Sequence, residues 1–219
     1  MNRMKRMFFT LISLFLISNS FAQQQINTDQ GASKIIDEVL VKYNSYSSMS
    51  IDFTFKTEKN KKVILTSKGK LIIKGKKYHA TFDNQIFACD SIIVWNYQKE
   101  GNEVVIYEFD ESEAPIFHPT KFISNWKNEF NGKFIREEIK NNKTLQIIDL
   151  TPKKSASYYK IRIFVDKSKK EITQTQIFDK DQTIYSYVIT NLISNSNISD
   201  QVFKFNKTNF PNVQINDMR

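Results

Sequence analysis

Cysteine, glycine and histidine are scarce in this sequence, and the first two scarcities exclude whole classes of protein. One cysteine among 219 residues allows no internal disulfide and no zinc knuckle. Five glycines leave no Gly-x-Gly-x-x-Gly run and no Walker-A loop, so neither a dinucleotide nor a nucleoside triphosphate is cradled in the usual way. With 40% hydrophobic and 25% charged residues, the chain is still apolar enough to fold as a globular protein.

Long apolar runs are missing as well, except at the N-terminus. A basic start is followed by an apolar run over residues 7–17, and Ser20 and Ala22 supply the small residues of a cleavage site. This layout predicts a secretory signal peptide over residues 1–22, cleaved after Ala22. A transmembrane anchor is the alternative, but the run is too short for a hydrocarbon core of ~30 Å. We therefore expect an exported, soluble protein whose single domain comprises residues 23–219.

The charge balance is basic but dispersed. Cleavage removes three of the 32 basic residues and none of the 23 acidic ones, which leaves a net charge of +6. The lysines occur singly or in pairs, mostly beside turns, whereas nucleic-acid binding requires a concentrated basic stripe. We interpret them as solvated residues that protect sheet edges, and a weak attraction to anionic lipid headgroups stays open.

The mature chain begins with a helical pattern and continues as strands. Apolar residues at helical spacing predict a helix over residues 28–48, capped by Thr28 or Asp29. A second helix is expected to start at Pro119, with an apolar face that includes Phe130. Period-two alternation begins at Met49, and turn-like gaps separate the strands that follow. We expect eleven strands, beginning at residue 49 and then spanning residues 63–74, 76–82, 85–89, 92–97, 103–107, 133–140, 144–150, 158–165, 172–178 and 183–189.

The short connections between these strands define the fold class. Short connections force neighbouring strands to run antiparallel, and a large antiparallel sheet must curl and cover its apolar face. We expect a mainly β fold with helices (α+β): an incomplete antiparallel barrel with amphipathic helices across an apolar interior. The patterning alone does not decide whether that interior is packed solid or open.

Catalytic chemistry is hard to find in this sequence. The two histidines, His79 and His118, are the usual candidate bases, but one lies on a predicted strand and the other precedes the second helix. They lack a third ligand at metal-binding spacing. Cys89 lies among apolar residues, as a small core side chain does. We expect no enzyme, no metal and no cofactor, and keep a hydrolase with an unrecognised site as an alternative.

Several motifs, in their order and spacing, resemble the LolA-like outer-membrane lipoprotein carrier family over nearly the whole mature chain. Residues 46–54 resemble the family's first strand after its first helix, and residues 69–74 its Gly-x-Leu-x-hydrophobic-Lys strand. Residues 90–97 resemble its Asp-Gly-x-x-hydrophobic-Trp-x-Tyr segment, and residues 148–153 its Leu-x-Pro-Lys turn. The closing Phe-x-Phe, Pro-x-x-Val and Asp pattern falls at residues 203–217.

This resemblance implies a function as well as a fold. Members are periplasmic carriers that accept lipoproteins from an inner-membrane ABC transporter and deliver them to an outer-membrane acceptor. It implies acylated lipoproteins as cargo, no nucleic acid and a monomeric protein. A periplasmic module that binds or senses a lipid or an acylated peptide is the alternative, because one fold serves several functions.

The lining of such a cavity needs apolar, adaptable side chains without directed bonds. The candidates share one strand face or one helix face: Ile36, Leu40, Ile51, Phe53, Phe55, Leu71, Ile73, Tyr78, Ala80, Phe82, Trp95, Tyr97, Phe122, Ile123 and Trp126. Ordinary core packing is the alternative for each of them. Two positions depart from the family pattern, because Ser91 replaces its glycine and Gly75 replaces a basic residue that is linked to cavity closure.

Overall fold

The structure is a computed structural model that describes residues 29–110 and 122–219. The predicted signal peptide, Thr28, His118 and the predicted helix start at Pro119 therefore lie outside the described residues. Helix α1 spans Gln30–Asn44 and buries an apolar stripe. Its N-cap is Asp29, whose carboxylate Oδ1 accepts a hydrogen bond from the backbone N–H of Ala32 at 2.6 Å.

Twelve strands, a second, very short α-helix and two 3₁₀ helices (Asp200–Phe203 and Lys207–Asn209) make up the other elements of the described fold. The first six strands follow α1: β1 (Met49–Lys59), β2 (Lys62–Lys74), β3 (Lys77–Phe82), β4 (Gln85–Cys89), β5 (Ile93–Gln98) and β6 (Glu103–Glu108). Helix α2 (Trp126–Glu129) precedes β7 (Phe130–Lys140), β8 (Lys143–Pro152), β9 (Tyr158–Asp166), β10 (Glu171–Asp179), β11 (Thr183–Ser194) and β12 (Gln214–Asp217).

All twelve strands form one sheet made of two meanders. Its strand order is β12-β6-β5-β4-β3-β2-β1-β11-β10-β9-β8-β7, so the meanders meet where β1 pairs with β11. Neighbours are antiparallel except β12, which runs parallel to β6. Among the described residues the end strands β12 and β7 do not pair with each other. This confirms the predicted mainly β fold and its incomplete barrel.

Two details of the prediction are wrong. From residue 122 on, the second helix has only four residues, and Phe130 begins β7 instead of continuing the helix, because its backbone is extended and pairs with Pro152. The sequence reading also missed β12. All four residues of this strand are exposed, so it has no alternation of buried and exposed residues for a pattern to detect.

The segment between β11 and β12, residues 195–213, crosses the outer face of the sheet, and we name it the C-terminal strap. Within the strap, Phe203 is fully buried, and Phe205 and Phe210 pack on an outer cluster formed by Val104 and Ile106 of β6 together with Val213 of the strap. The strap is therefore a fixed cover for one apolar side of this part of the sheet.

Ser91 occupies a backbone conformation that favours glycine. It lies in the turn between β4 and β5, where Asp90 Oδ1 accepts hydrogen bonds from the N–H groups of Ile92 (3.0 Å) and Ile93 (2.9 Å). Its φ of +83° is in the left-handed region. This turn explains why the family pattern carries glycine there.

We predict that Ser91→Gly stabilises the protein by about 1 kcal/mol, because glycine adopts this φ without strain. Urea unfolding followed by circular dichroism measures the change. Gly75→Ala is the matched control, since Gly75 has φ +58° and open space around its Cα. It should lose stability, and a destabilised Ser91→Gly would contradict the explanation.

Candidate functional site

The concave face of the sheet holds one large apolar cluster, which collects side chains from α1 and from strands on both sides of the β1–β11 pair. Most of the predicted lining residues meet there. Eleven are buried members of the cluster: Ile36, Ile51, Phe53, Phe55, Leu71, Ile73, Tyr78, Ala80, Phe122, Ile123 and Trp126. Leu40 and Phe82 are partly buried and pack against it.

Trp95 and Tyr97 do not lie on this face, which corrects their predicted orientation. Directly paired residues share a face, and the pairing places Phe87 opposite Ala80 and Asn96 opposite Phe87. Asn96 is therefore concave, and its neighbours Trp95 and Tyr97 are convex. Both pack on the outer cluster beneath the C-terminal strap.

Helix α1 covers the half of the concave face built from β7 to β10, and polar bonds fasten both of its ends. At the start, Asp29 Oδ2 accepts a hydrogen bond from the backbone N–H of Phe134 on β7 at 2.6 Å. Near the end, the buried hydroxyl of Tyr43 accepts one from the backbone N–H of Ile172 on β10 at 2.9 Å. Tyr46 donates to Glu171 at 2.5 Å, and burial together with this bond raises the pKa of Tyr46 to about 12.

The other half of the face is lined by five rings, Phe53, Phe55, Phe82, Tyr185 and Tyr187, which we name the aromatic lining. Phe55 is its centre, with ring centroids 4.9 Å from Tyr187, 5.1 Å from Phe82 and 6.2 Å from Tyr185. Phe53 stacks on Phe82 at 5.9 Å. Such contacts contribute about 1 kcal/mol each beyond the area they bury, so the five rings form one continuous apolar surface without hydrogen bonds between them.

Gly69 of β2 makes room for this arrangement. It pairs with Phe53 on one side and Phe82 on the other, and an added Cβ would lie 2.3 Å from Cζ of Phe53. The ring of Phe53 therefore rests directly on the glycine backbone.

The aromatic lining carries no charge at neutral pH. Burial raises the pKa of Tyr187 well above the ordinary value, so its phenol stays protonated. Elsewhere on the concave face, burial raises the pKa of Tyr78 in the same way. Two polar atoms of the inner strands, Ser67 Oγ and Asn96 Oδ1, are buried without a hydrogen-bond partner among the described residues. The face is therefore apolar except for these two isolated hydrogen-bonding atoms.

The sequence reading missed Tyr185 and Tyr187. Both lie on the predicted strand over residues 183–189, and they alternate as residues of one face do. Their place in the lining depends on the pairing of β11 with β1, in which Tyr187 lies opposite Phe55 and Tyr185 opposite Thr57. That pairing joins residues more than a hundred positions apart, so local periodicity does not reveal it.

The structure describes two of the candidate chemical groups, His79 and Cys89. His79 faces the outer side of β3, and burial lowers its pKa. Cys89 is fully buried in the core cluster, where burial raises the pKa of its thiol to about 11. Within residues 29–110 and 122–219, His, Cys, Asp and Glu side chains form no group of three that could hold a metal ion.

The turn between β2 and β3 is the place where the family pattern has a closure residue. Gly75 occupies it with φ +58° and no side chain. Lys74 bonds outward instead, to the carbonyl of Ile198 at 3.0 Å and to Asp200 at 2.9 Å. Together with Lys77 it lowers the pKa of Asp200 to about 2, so these lysines secure the C-terminal strap.

The fold and this face define an incomplete β-barrel of the carrier or binding kind, with an apolar, uncharged interior. The family model described as "Outer membrane lipoprotein carrier protein LolA" matches residues 44–206. The chain therefore belongs to the LolA family of outer-membrane lipoprotein carriers. A comparison with curated protein sequences finds no match.

Solved structures with this fold are distant in sequence. An uncharacterized conserved protein from Thermus thermophilus is 10% identical, with a TM-score of 0.59, over 86% of this chain and 99% of that one. A LolA superfamily protein from Nitrosomonas europaea is 10% identical (TM-score 0.43; 80% and 97% covered). Lipoprotein LppX of Mycobacterium tuberculosis is 10% identical (TM-score 0.45; 78% and 99% covered). In the described part of the chain, no helix is long and apolar enough to span a membrane.

We predict that Gly69→Ala destabilises the protein by about 2 kcal/mol, because the new methyl group displaces the ring of Phe53. Phe53→Leu should remove most of that penalty when the two changes are combined. Urea unfolding of the two single variants and the double variant gives the coupling energy. Additive effects of the two substitutions would mean that the ring does not rest on Gly69.

Proposed function

We propose that this protein is a periplasmic carrier that shelters the acyl chains of lipoproteins and moves them from an inner-membrane ABC transporter to an acceptor in the outer membrane. The observation that carries the proposal is the aromatic lining, an uncharged apolar surface whose rings hold one another by weak contacts. Membership of the lipoprotein carrier family supports the same cargo class.

The energetics of lipoprotein transport explain why such a surface is needed. Each methylene withdrawn from water contributes about 0.8 kcal/mol, so a multiply acylated protein does not leave a membrane without a cover. A carrier must also release its cargo, and for that purpose contacts without directed bonds are better than a set of hydrogen bonds. The concave face provides them from Phe53, Phe55 and Phe82 on one side and from two tyrosines of β11 on the other.

The remaining parts of the proposal follow from this role. Residues 1–22 direct export, and residues 23–219 act as a soluble monomeric domain in the periplasm. Binding and release involve no reaction of the protein's own, so the proposed carrier is not an enzyme. The work of extracting the lipoprotein falls to the ATP-hydrolysing transporter.

A release assay tests the proposal. Inner-membrane vesicles that contain the cognate transporter and a labelled triacylated lipoprotein are mixed with the purified chain from Gln23 on, with and without ATP. We expect ATP-dependent appearance of the lipoprotein in the soluble fraction, in a one-to-one complex with this protein. No release from vesicles that are competent with a known carrier would contradict the proposal, and co-purifying lipid would then favour the binding or sensing module.

A pair of substitutions tests the placement of the site. We predict that Phe82→Glu lowers the amount of released lipoprotein about tenfold or more, because it puts a charge among the rings of the lining. Trp95→Glu is the matched control, since Trp95 is also a partly buried aromatic residue but lies on the convex face. Circular dichroism establishes that both variants are folded, and equal losses of release would contradict the assignment of the concave face.

A further inference from the structure

The hairpin of β1 and β2 projects beyond the strand next to it. Pairing of β2 with β3 begins only at Gly69, opposite Phe82, whereas pairing of β1 with β2 continues to Lys59 and Lys62. On the side away from β1, residues 62–68 therefore have no neighbouring strand among the described residues. We name residues 56–68 the projecting hairpin.

The projecting hairpin exposes three consecutive apolar side chains. Val63, Ile64 and Leu65 are 55%, 62% and 42% exposed. A register shift between Thr57 and Glu58 interrupts the regular ladder at this point. Elsewhere in the described chain the exposed large apolar residues occur singly in the sequence. Single exposed apolar residues are common on protein surfaces, whereas three in a row are not and indicate an interaction site.

Lysines surround these apolar side chains. Lys56, Lys61, Lys62, Lys68 and Lys70 lie on or next to the hairpin and make no ion pair within the described residues, while Lys59 pairs with Asp181 at 2.8 Å. Glu58 is the only acidic residue between positions 56 and 70. An apolar tip with a cationic surround matches the interface of an anionic bilayer, in which lysine stems reach the headgroups while apolar side chains enter the acyl boundary.

The hairpin is also continuous with the aromatic lining. Leu65 lies opposite Thr57, and Thr57 lies opposite Tyr185, so these three residues form one row across the concave face. The next row contains Phe55 and Tyr187. An apolar path therefore leads from the exposed tip into the proposed lipid site.

We propose that the projecting hairpin docks the protein on an anionic lipid bilayer, with Val63, Ile64 and Leu65 in contact with the acyl region. The value of this contact for cargo transfer rests on the proposed carrier function, but the docking itself requires no cargo. Pairing of a partner protein's strand with the free edge is less favoured, because the register shift and the lysines on the hairpin are features that hinder edge pairing.

Co-sedimentation with vesicles tests the docking. The purified chain from Gln23 on is mixed with phosphatidylcholine vesicles with and without phosphatidylglycerol. We expect binding to the anionic vesicles that weakens as salt is added, and a loss of about tenfold in affinity for Ile64→Glu. Ile139→Glu is the matched control, because Ile139 is 81% exposed beside the β7–β8 turn, is also flanked by lysine, and should bind as the unmodified protein does.

A tryptophan probe measures insertion directly. Ile64→Trp should show a blue-shifted emission on binding to the anionic vesicles, whereas Ile139→Trp should show none. Absence of vesicle binding, equal effects of the two glutamate variants, or equal shifts of the two tryptophan variants would each overturn the proposal. Because no lipoprotein or transporter is present, these outcomes are independent of the release assay, which tests the carrier function separately.

Discussion

The pairing of β1 with β11 is the interaction on which the rest of the structure depends. It aligns Met49–Lys59 with Thr183–Ser194 along almost their whole length and joins two meanders that are otherwise separate in the sheet. Without it, each meander would expose an apolar face and half of the aromatic lining. Phe53 and Phe55 come from one partner of this pair, and Tyr185 and Tyr187 from the other. The long-range pairing therefore builds the fold and the candidate site at the same time.

Rigidity and adaptability lie in different places on the concave face. Over β7 to β10, α1 is fixed by hydrogen bonds that Asp29 and Tyr43 accept from backbone N–H groups of the strands, and such bonds are lost if the helix shifts. Over β1 to β3 and β11, each ring contact contributes only about 1 kcal/mol, and no hydrogen bond joins one ring of the lining to another. A ligand that entered the aromatic lining could thus repack side chains without breaking the bonds that hold the helix. A face that binds and releases a ligand repeatedly requires this separation between a fixed helix and adaptable side chains.

Local periodicity was enough to predict much of this fold but not all of the site. The alternation of Ile51, Phe53 and Phe55 identified the concave side of β1, because its other face is polar. In β5 the more apolar side carries Ile93, Trp95 and Tyr97, whereas Asn96 lies on the inner side, so the pattern favoured the wrong face. Their orientation is decided by the C-terminal strap, which packs on them from far along the chain. The short second helix, the exposed β12 and the tyrosines of β11 were likewise set by contacts distant in sequence.

The sheet has two apolar faces, and they are covered in different ways. On the convex side, Phe205 and Phe210 belong to the same chain and cover the outer cluster permanently. On the concave side, the rings of the aromatic lining cover one another. In the proposed carrier, an acyl chain that entered there would replace ring–ring contacts with ring–chain contacts, so its net gain would be smaller than its full transfer free energy from water. A face whose rings already cover one another binds lipid less tightly than an empty cavity would. That lower affinity is what allows a carrier to release its cargo.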